Sequence, residues 1–303
     1  MFRLTPLLLI ATLCACGSAP PQAELSPTPK SPAPALREAL LSSLQSAEVI
    51  LIGETHDHPQ HHELQAQLIR HIKPRSVAFE MLNSSQAEVA STLFELPRER
   101  WGEALRWSER GWPEFSLYLP VFDASKEVGA KLIAAHPDRQ TLMPLMIGQP
   151  LPELLTQALK LDRPLPKEAR AELEEEIIRS HCGHAPQGMI QPMVSAQRLK
   201  DAWMARALLA SPKPVVMIVG RGHTQAKRGI PWALEQLASP EAPPKWSVVA
   251  LRSDDDAQDR AEGQVKVIKT KPHREDDPCE RFKEQLKKMG KGHSKLNKAT
   301  SAE

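Results

Sequence analysis

The chain has 303 residues, with 39 Lys/Arg against 37 Asp/Glu, a net charge of +2, and 41% hydrophobic residues. That apolar share supports a packed core and excludes wholesale disorder, collagen-like repeats and coiled coils, while the near-balanced charge excludes a dedicated nucleic-acid binder. The imbalance is local, 11 Lys/Arg against 6 Asp/Glu in residues 266–303, and Tyr118 is the only tyrosine, so chemistry that needs a phenol has one candidate.

Residues 1–15 carry one charge, Arg3, followed by the apolar run Leu7-Leu8-Leu9-Ile10-Ala11. The run is too short to span a bilayer as a mature helix and reads as a cleaved signal. Leu13-Cys14-Ala15-Cys16-Gly17 fits the bacterial lipobox, with a small residue before the modified cysteine. Cys16 is therefore the expected lipidated first residue; Cys14 follows the bulky Leu13 and fits poorly. An ordinary secretory signal with incidental cysteines is the alternative. Acyl chains anchor at about 0.8 kcal/mol per buried CH₂. Gly17 in place of Asp points to the outer membrane, with the folded body facing the periplasm. Residues 16–36 hold Pro20, Pro21, Pro27, Pro29, Pro32 and Pro34, the composition of a solvated, semi-extended tether.

From Glu48 onward strand-like and helix-like segments alternate. Val49-Ile50-Leu51-Ile52 is a β-branched run stopped by Gly53. Pro59 opens a helix with Leu64, Leu68, Ile69 and Ile72 on one face. Val77-Ala78-Phe79 is a second strand. Two or three helices follow, one holding Trp101 and Trp107 and the next Phe115, Tyr118, Leu119 and Phe122. Residues 131–135 form a third strand. Residues 140–210 read as helical, punctuated by Pro152, Pro164 and Pro186. Val215-Val216-Met217-Ile218-Val219 is the fourth and clearest strand, then come a helix at 229–237 and strands at 246–251 and 265–268. A basic tail, 272–303, closes the chain with one helix near 279–288. Strands nearly continuous in apolar residues, alternating with helices, predict an α/β fold over residues 37–271: a mostly parallel sheet flanked by helices on both faces. The stretch at about 140–210 is too long for a simple crossover and reads as a helical cap. Cys182 and Cys279 are the two remaining cysteines, expected to be bridged in an oxidising compartment, with two buried free thiols as the alternative. A bridge would pin the tail to the body and stabilise by about 4–5 kcal/mol on the chain-entropy model.

Ligands of open α/β sheets bind beyond the carboxyl ends of the strands. There this sequence delivers Glu54 and His56, then Glu80, then His136, then Arg221 and His223. Glu and His can hold a divalent metal, and a Glu can serve as general base for a metal-bound water. The His-Glu-x-x-His helix of zinc proteases, glycine-rich phosphate loops and a nucleophile elbow are all absent from the sequence. His61 and His62 read as surface residues.

Several of these residues form longer patterns. Gly53-Glu54-x-His56-Asp57, Phe79-Glu80-Met81, and Trp112-Pro113 before Tyr118 occur in order with Asp201-Ala202-x-Met204-Ala205. Gly220-x-Gly222-His223, Gly229-Ile230-Pro231 and Asp277-Pro278-Cys279-Glu280 follow. Together they resemble the ChaN-like haem-binding lipoproteins from about residue 46 to 285. The resemblance implies an α/β domain with a helical cap that dimerises around two stacked haems and acts in haem or iron acquisition. It implies a tyrosine ligand to haem iron, here Tyr118, with a histidine and a lysine of the other subunit on the propionates. His56, His223 and Arg221 are the rim residues expected to contact haem. Arg221 and His136 depart from the family pattern, which has Asn at both places. The Glu54/His56/Glu80/His223 rim also resembles erythromycin-esterase-like and TraB/Tiki-type predicted hydrolases. That resemblance implies the alternative, a metal-dependent hydrolase with those four residues as its active site.

Overall fold

The computed structural model describes residues 38–253, 265–273, 277, 279–280 and 283. The signal segment, Cys16, the Pro-rich tether and most of the basic tail lie outside these residues. The elements run α1 (Glu38–Leu44), β1 (Val49–Glu54), α2 (Pro59–Ile72), β2 (Ser76–Asn83), α3 (Ala87–Thr92), α4 (Trp101–Ala104), α5 (Phe115–Glu127) and β3 (Lys131–His136). They continue with α6 (Arg139–Met146), α7 (Glu153–Ala158), α8 (Lys167–Ser180), α9 (Ile190–Ala210), β4 (Val215–Gly220), α10 (Ile230–Leu237), β5 (Trp246–Ser253) and β6 (Val265–Thr270). All six strands lie in one sheet in the order β3-β2-β4-β1-β5-β6, and every pairing is parallel. The strands are longer than their apolar runs because polar residues continue them: Glu54 ends β1, His136 ends β3, and β2 runs on past Glu80 to Asn83.

Alternation along the strands decides which layer each side chain joins. Ile50, Ile52, Val77, Phe79, Val216 and Ile218 pack into the core built with α2 and α5, whereas Val49, Leu51, Ala78, Val215, Met217 and Val219 pack under α9 and α10. The central strands β1 and β4 are buried on both faces, which is why they read as unbroken apolar runs. Trp101 and Trp107, expected on one helix, lie on separate short turns, α4 and a 3₁₀ turn.

The helical stretch at 140–210 divides in use. Leu199, Ala202, Met204, Ala205 and Leu208 of α9 belong to the sheet-covering layer. Leu173 and Ile177 of α8 instead form a small satellite core with Ile190 and Val194 at the start of α9. The α8 end of that satellite overhangs the strand ends. Beyond β6 the chain is held at the same end of the sheet. His58 Nε2 donates to the Lys271 carbonyl at 3.0 Å, His61 Nε2 lies 3.1 Å from Thr270 Oγ1, and His273 meets Asp57 at 3.1 Å. A disulfide joins Cys182, just after α8, to Cys279, across a sequence separation of 97 residues. Loop-closure entropy over that length is worth about 4–5 kcal/mol. Reduction, or a Cys182→Ser/Cys279→Ser pair, should therefore lower unfolding free energy by up to that amount in urea titrations.

Candidate functional site

The two rim carboxylates approach the carboxyl edge from opposite faces of the sheet. Glu54 continues the alternation of Ile50 and Ile52, so its side chain enters the layer of α2 and α5. Glu80 continues the alternation of Ala78 and enters the layer of α9. Both are almost fully buried, at 2% and 4% exposure, so each must be paired.

Glu54 Oε1 accepts from the Tyr118 hydroxyl at 2.7 Å and lies 2.8 Å from His56 Nδ1. Its Oε2 accepts from the Gln65 amide at 2.5 Å, with His62 Nδ1 3.3 Å away. Glu80 Oε2 accepts from the Gly220 backbone N–H at 2.7 Å, and its Oε1 lies 3.2 Å from His223 Nε2. His223 Nδ1 meets Asp201 of α9 at 2.5 Å. His56 lies between the two systems, with Nε2 3.8 Å from Glu80 Oε2. Gly220 makes the convergence possible: a Cβ there would sit 2.9 Å from His56 Nε2 and 3.3 Å from Glu80 Oε2.

The charges follow from this pairing. Burial alone would raise the Glu54 carboxyl, yet His62 and His56 hold it well below the usual carboxylate range. Glu80 is likewise held well below its ordinary value, against burial, by His223 and His56. Burial would lower His223, but Glu80 and Asp201 raise it to about 10. Burial raises Asp201, the acid that shares the short contact with His223. His56, disfavoured as a cation by burial, is nevertheless raised by Glu54 and Glu80. At neutral pH His223 is therefore an imidazolium facing the Glu80 carboxylate.

Glu54, His56, Glu80, Arg221 and His223 line one pocket of about 570 Å³, roofed by Trp112 and by Glu176 and Arg179 of α8. His56 stands edge-on to Trp112, with ring centroids 5.0 Å apart. His136 does not reach this pocket. Its Nδ1 lies 2.6 Å from the Pro137 carbonyl, and burial, with Lys200 nearby, lowers it to about 4.

Tyr118, the iron ligand expected from the resemblance, is fully buried, with its hydroxyl turned inward to Glu54. Burial and the Glu54 charge push the phenol well above its ordinary value. A phenolate ligand needs the opposite surroundings, so this residue does not fit the expected role: as folded, it is a buried prop for Glu54. The divalent-metal expectation fares no better. Among the described residues no group of three or more His, Cys, Asp and Glu is disposed to hold a metal ion. The carboxylates are already saturated by imidazole, phenol and amide donors.

His61 and His62, read as surface residues, are fully buried. His62 Nε2 donates to the His56 carbonyl at 2.9 Å, fixing the loop that carries His56. Helical spacing carries the signal for this burial. His62 and Gln65 occupy the same face of α2 as Leu68 and Ile69, and polar residues on an apolar face need buried partners.

The His223 clamp has a pH signature. A folded-state value raised to about 10 stabilises fully below the ordinary imidazole value near 6.5, and the stabilisation is lost as pH rises through 10. Thermal midpoints of the protein should therefore fall between pH 7 and 10. His223→Gln should start lower and show a flatter profile over that window.

Comparisons with known proteins agree with this architecture. Residues 40–234 match the family described as haem-binding uptake, Tiki superfamily, ChaN. The fold is similar to that of ChaN of Campylobacter jejuni, whose structure is described as showing cofacial haem binding. The TM-score is 0.57 at 23% identity, covering 73% of this chain and 87% of that one. A more distant similarity, to the type III effector HopBA1, has a TM-score of 0.42 and 11% identity, covering 77% and 91% of the two chains. No curated protein sequence matches the chain. The family match spans both carboxylates, His56, Tyr118 and His223 along with four of the six strands of the all-parallel sheet, β1 to β4, and the chain belongs to the ChaN family of the Tiki superfamily.

Proposed function

We propose that the chain is a lipid-anchored, periplasm-facing haem-binding protein of the bacterial cell envelope that serves haem or iron acquisition and receives haem on the apolar face of its helical cap. Membership of a haem-uptake family is the observation that carries this reading.

The cap supplies a surface of suitable chemistry. A groove of about 690 Å³, within the usual size range of small-molecule sites, runs along α6 and the following loop. Met143, Pro144, Ile147, Leu151 and Pro152 line it. Ile147 is 64% exposed and Leu154 of α7 is 82% exposed, and exposed apolar surface of this kind marks a binding face. A porphyrin is a flat apolar ring that gains by leaving water. Met143 carries the one thioether in the groove lining, a known type of haem-iron ligand. Bound haem would contribute its iron; the chain would cover the ring faces and exclude water. A second copy presenting the same face would bury Ile147 and Leu154 and leave two haems between the caps.

Among the described residues no helix is long and apolar enough to cross a membrane. Attachment in this reading is through Cys16 and the proline-rich segment 16–36, with the outer membrane as destination.

Ferric haem added to the full chain should give a saturable Soret shift and raise the dimer fraction in sedimentation. Met143→Ala should weaken the spectral change, and Leu154→Glu should keep the protein monomeric. Tyr118→Phe should leave the haem spectrum unchanged while costing about 1–3 kcal/mol of stability, because Glu54 loses a donor. Loss of haem binding in Tyr118→Phe, with Met143→Ala unaffected, would move the seat away from the cap. The anchor has its own assay. Labelled palmitate should enter the wild-type chain and not Cys16→Ser, which should leave the membrane fraction.

A further inference from the structure

Because all six strands are parallel, their amino ends share one edge of the sheet, opposite the edge that carries the pocket. Residues just before the strands extend the backbone ladder across that amino edge. The Lys131 N–H donates to the Arg75 carbonyl at 3.0 Å, and the Arg75 N–H to the Pro214 carbonyl at 2.9 Å. The Val215 N–H donates to the Glu48 carbonyl at 2.9 Å, and the Glu48 N–H to the Lys245 carbonyl at 2.7 Å. This row aligns Lys131 on β3, Arg75 before β2, Lys213 before β4, Glu48 before β1 and Lys245 before β5. From β6 the Lys266 ammonium donates to the Ser247 hydroxyl at 3.2 Å, which carries its charge back toward the same edge. Lys73, at the end of α2, adds a sixth basic residue. At about 4.8 Å between strands the row spans roughly 24 Å.

Several helices also end at this edge, where basic side chains commonly serve terminal carbonyls. Lys213 is used in that way, its ammonium donating to the Leu208 carbonyl. Lys73, Arg75, Lys131 and Lys245 are different: they are exposed, and their side chains have no ionic partner among the described residues. In the described connections leading into the strands the acids are Glu48 and Glu241, and Glu127 at the end of α5 is paired with Arg70. The acidic connection 254–264 lies outside the described residues. Beside the row, a cavity of about 530 Å³ opens between the end of α1 and the start of β5. Ser43 and Ser46 line it with hydroxyls, Lys245 and Lys266 with ammonium groups, and Trp246 with a half-buried indole. Ammonium and hydroxyl donors suit a phosphate, and indoles concentrate at membrane interfaces. The pocket at the carboxyl edge instead interleaves Glu54, Asp57, Glu80 and Glu176 with its cations, so it offers an anionic surface no comparable field.

We propose that the amino edge of the sheet docks on anionic phospholipid headgroups of the membrane that anchors the chain, and so turns the carboxyl-edge pocket away from the bilayer. This rests on the attachment through Cys16 proposed above. Glu38, close to the segment that leads to Cys16, lies five residues before Ser43, about 8 Å along α1. Residues 16–36 reach at most about 65 Å as extended polyproline, enough for an anchored body to present any face. The charged row selects one. Attraction to an anionic surface gives about a five-fold gain in partition per basic residue and fades within a Debye length. The anchor therefore holds the chain while the row orients it.

The test uses the full chain carrying Cys16→Ser, so its outcome stands whether or not Cys16 is lipidated; palmitate labelling of the wild-type chain reports on the anchor separately. Flotation is measured with vesicles of phosphatidylcholine and of equal parts phosphatidylcholine and phosphatidylglycerol. The neutral vesicles report any contribution of the apolar leader. An excess on the anionic vesicles is expected, abolished at about 1 M salt, where screening acts within about 3 Å. Arg75→Gln/Lys131→Gln and Lys245→Gln/Lys266→Gln should each lower that excess by about 25-fold. Lys287→Gln/Lys288→Gln in the basic tail should lower it less than either. On the bound chain an amine-acylating reagent should modify Lys131 and Lys245 several-fold more slowly than on the free chain. Lys271, exposed just beyond β6 at the carboxyl edge, should react at its free rate. No anionic excess, an excess unchanged in both amino-edge pairs, a larger loss from the tail pair, or protection of Lys271 in place of Lys131 and Lys245 would each overturn the proposal.

Discussion

Two carboxylates buried on opposite faces of one sheet constrain everything else at its carboxyl edge. Glu54 and Glu80 leave their strands with opposite parity, so no single helix can serve both. The fold answers with two sets of partners: His62, Gln65 and Tyr118 from α2 and α5 on one side, His223 and Asp201 from the β4 turn and α9 on the other. His56 joins the sets across the edge, and a glycine at 220 leaves it the space to do so. The strand order has the same consequence. With β4 inserted between β1 and β2, the turn after β4 is delivered between the two carboxylates, where a cation is needed.

Much of this was legible in the sequence. The strands announced themselves because burial on both faces forces unbroken apolar runs, and the site residues could be named because they are the first polar residues beyond those runs. Their convergence followed from the parallel sheet, since every carboxyl end lies on one edge. Less legible was anything that depends on which way a side chain turns. Tyr118 sits among Phe115, Leu119 and Phe122, and such a neighbourhood reads the same whether the hydroxyl faces a ligand or a buried carboxylate. The structure decides for the carboxylate. The histidines of α2 are buried for a related reason: a His-rich run looks like a hydrated surface until its helical phase is set against the apolar residues beside it.

The helices between 139 and 210 show the same limit on a larger scale. Their sequence announces helix and proline breaks, but not that α9 closes the sheet while α8 stands over the pocket. That division depends on long-range partners. Leu199 and Met204 have a sheet to cover, whereas Leu173 and Ile177 find only the start of α9. The disulfide from Cys182 to Cys279 then ties the satellite to the segment beyond β6, at the same end of the molecule as the pocket.

Stability alone gives no reason to keep such a site. Removing charges from water costs several kcal/mol each, and a buried ionic cluster is commonly no more stable than apolar side chains of the same volume. Phe79 and Phe122 stack nearby with centroids 4.6 Å apart, so the fold can fill this region with hydrocarbon. Instead it carries Glu54, Glu80, His223 and Asp201 in its interior, each with its partners, and leaves one imidazole, His56, partly exposed between the two sets. A network whose cost is met in full by its own pairing, and whose one open edge faces a pocket, is organised around that edge. The apolar cap face has the opposite character: exposed hydrocarbon, with Ile147 64% and Leu154 82% exposed. The two surfaces therefore differ in kind, one a charged, internally paired pocket and the other an apolar groove.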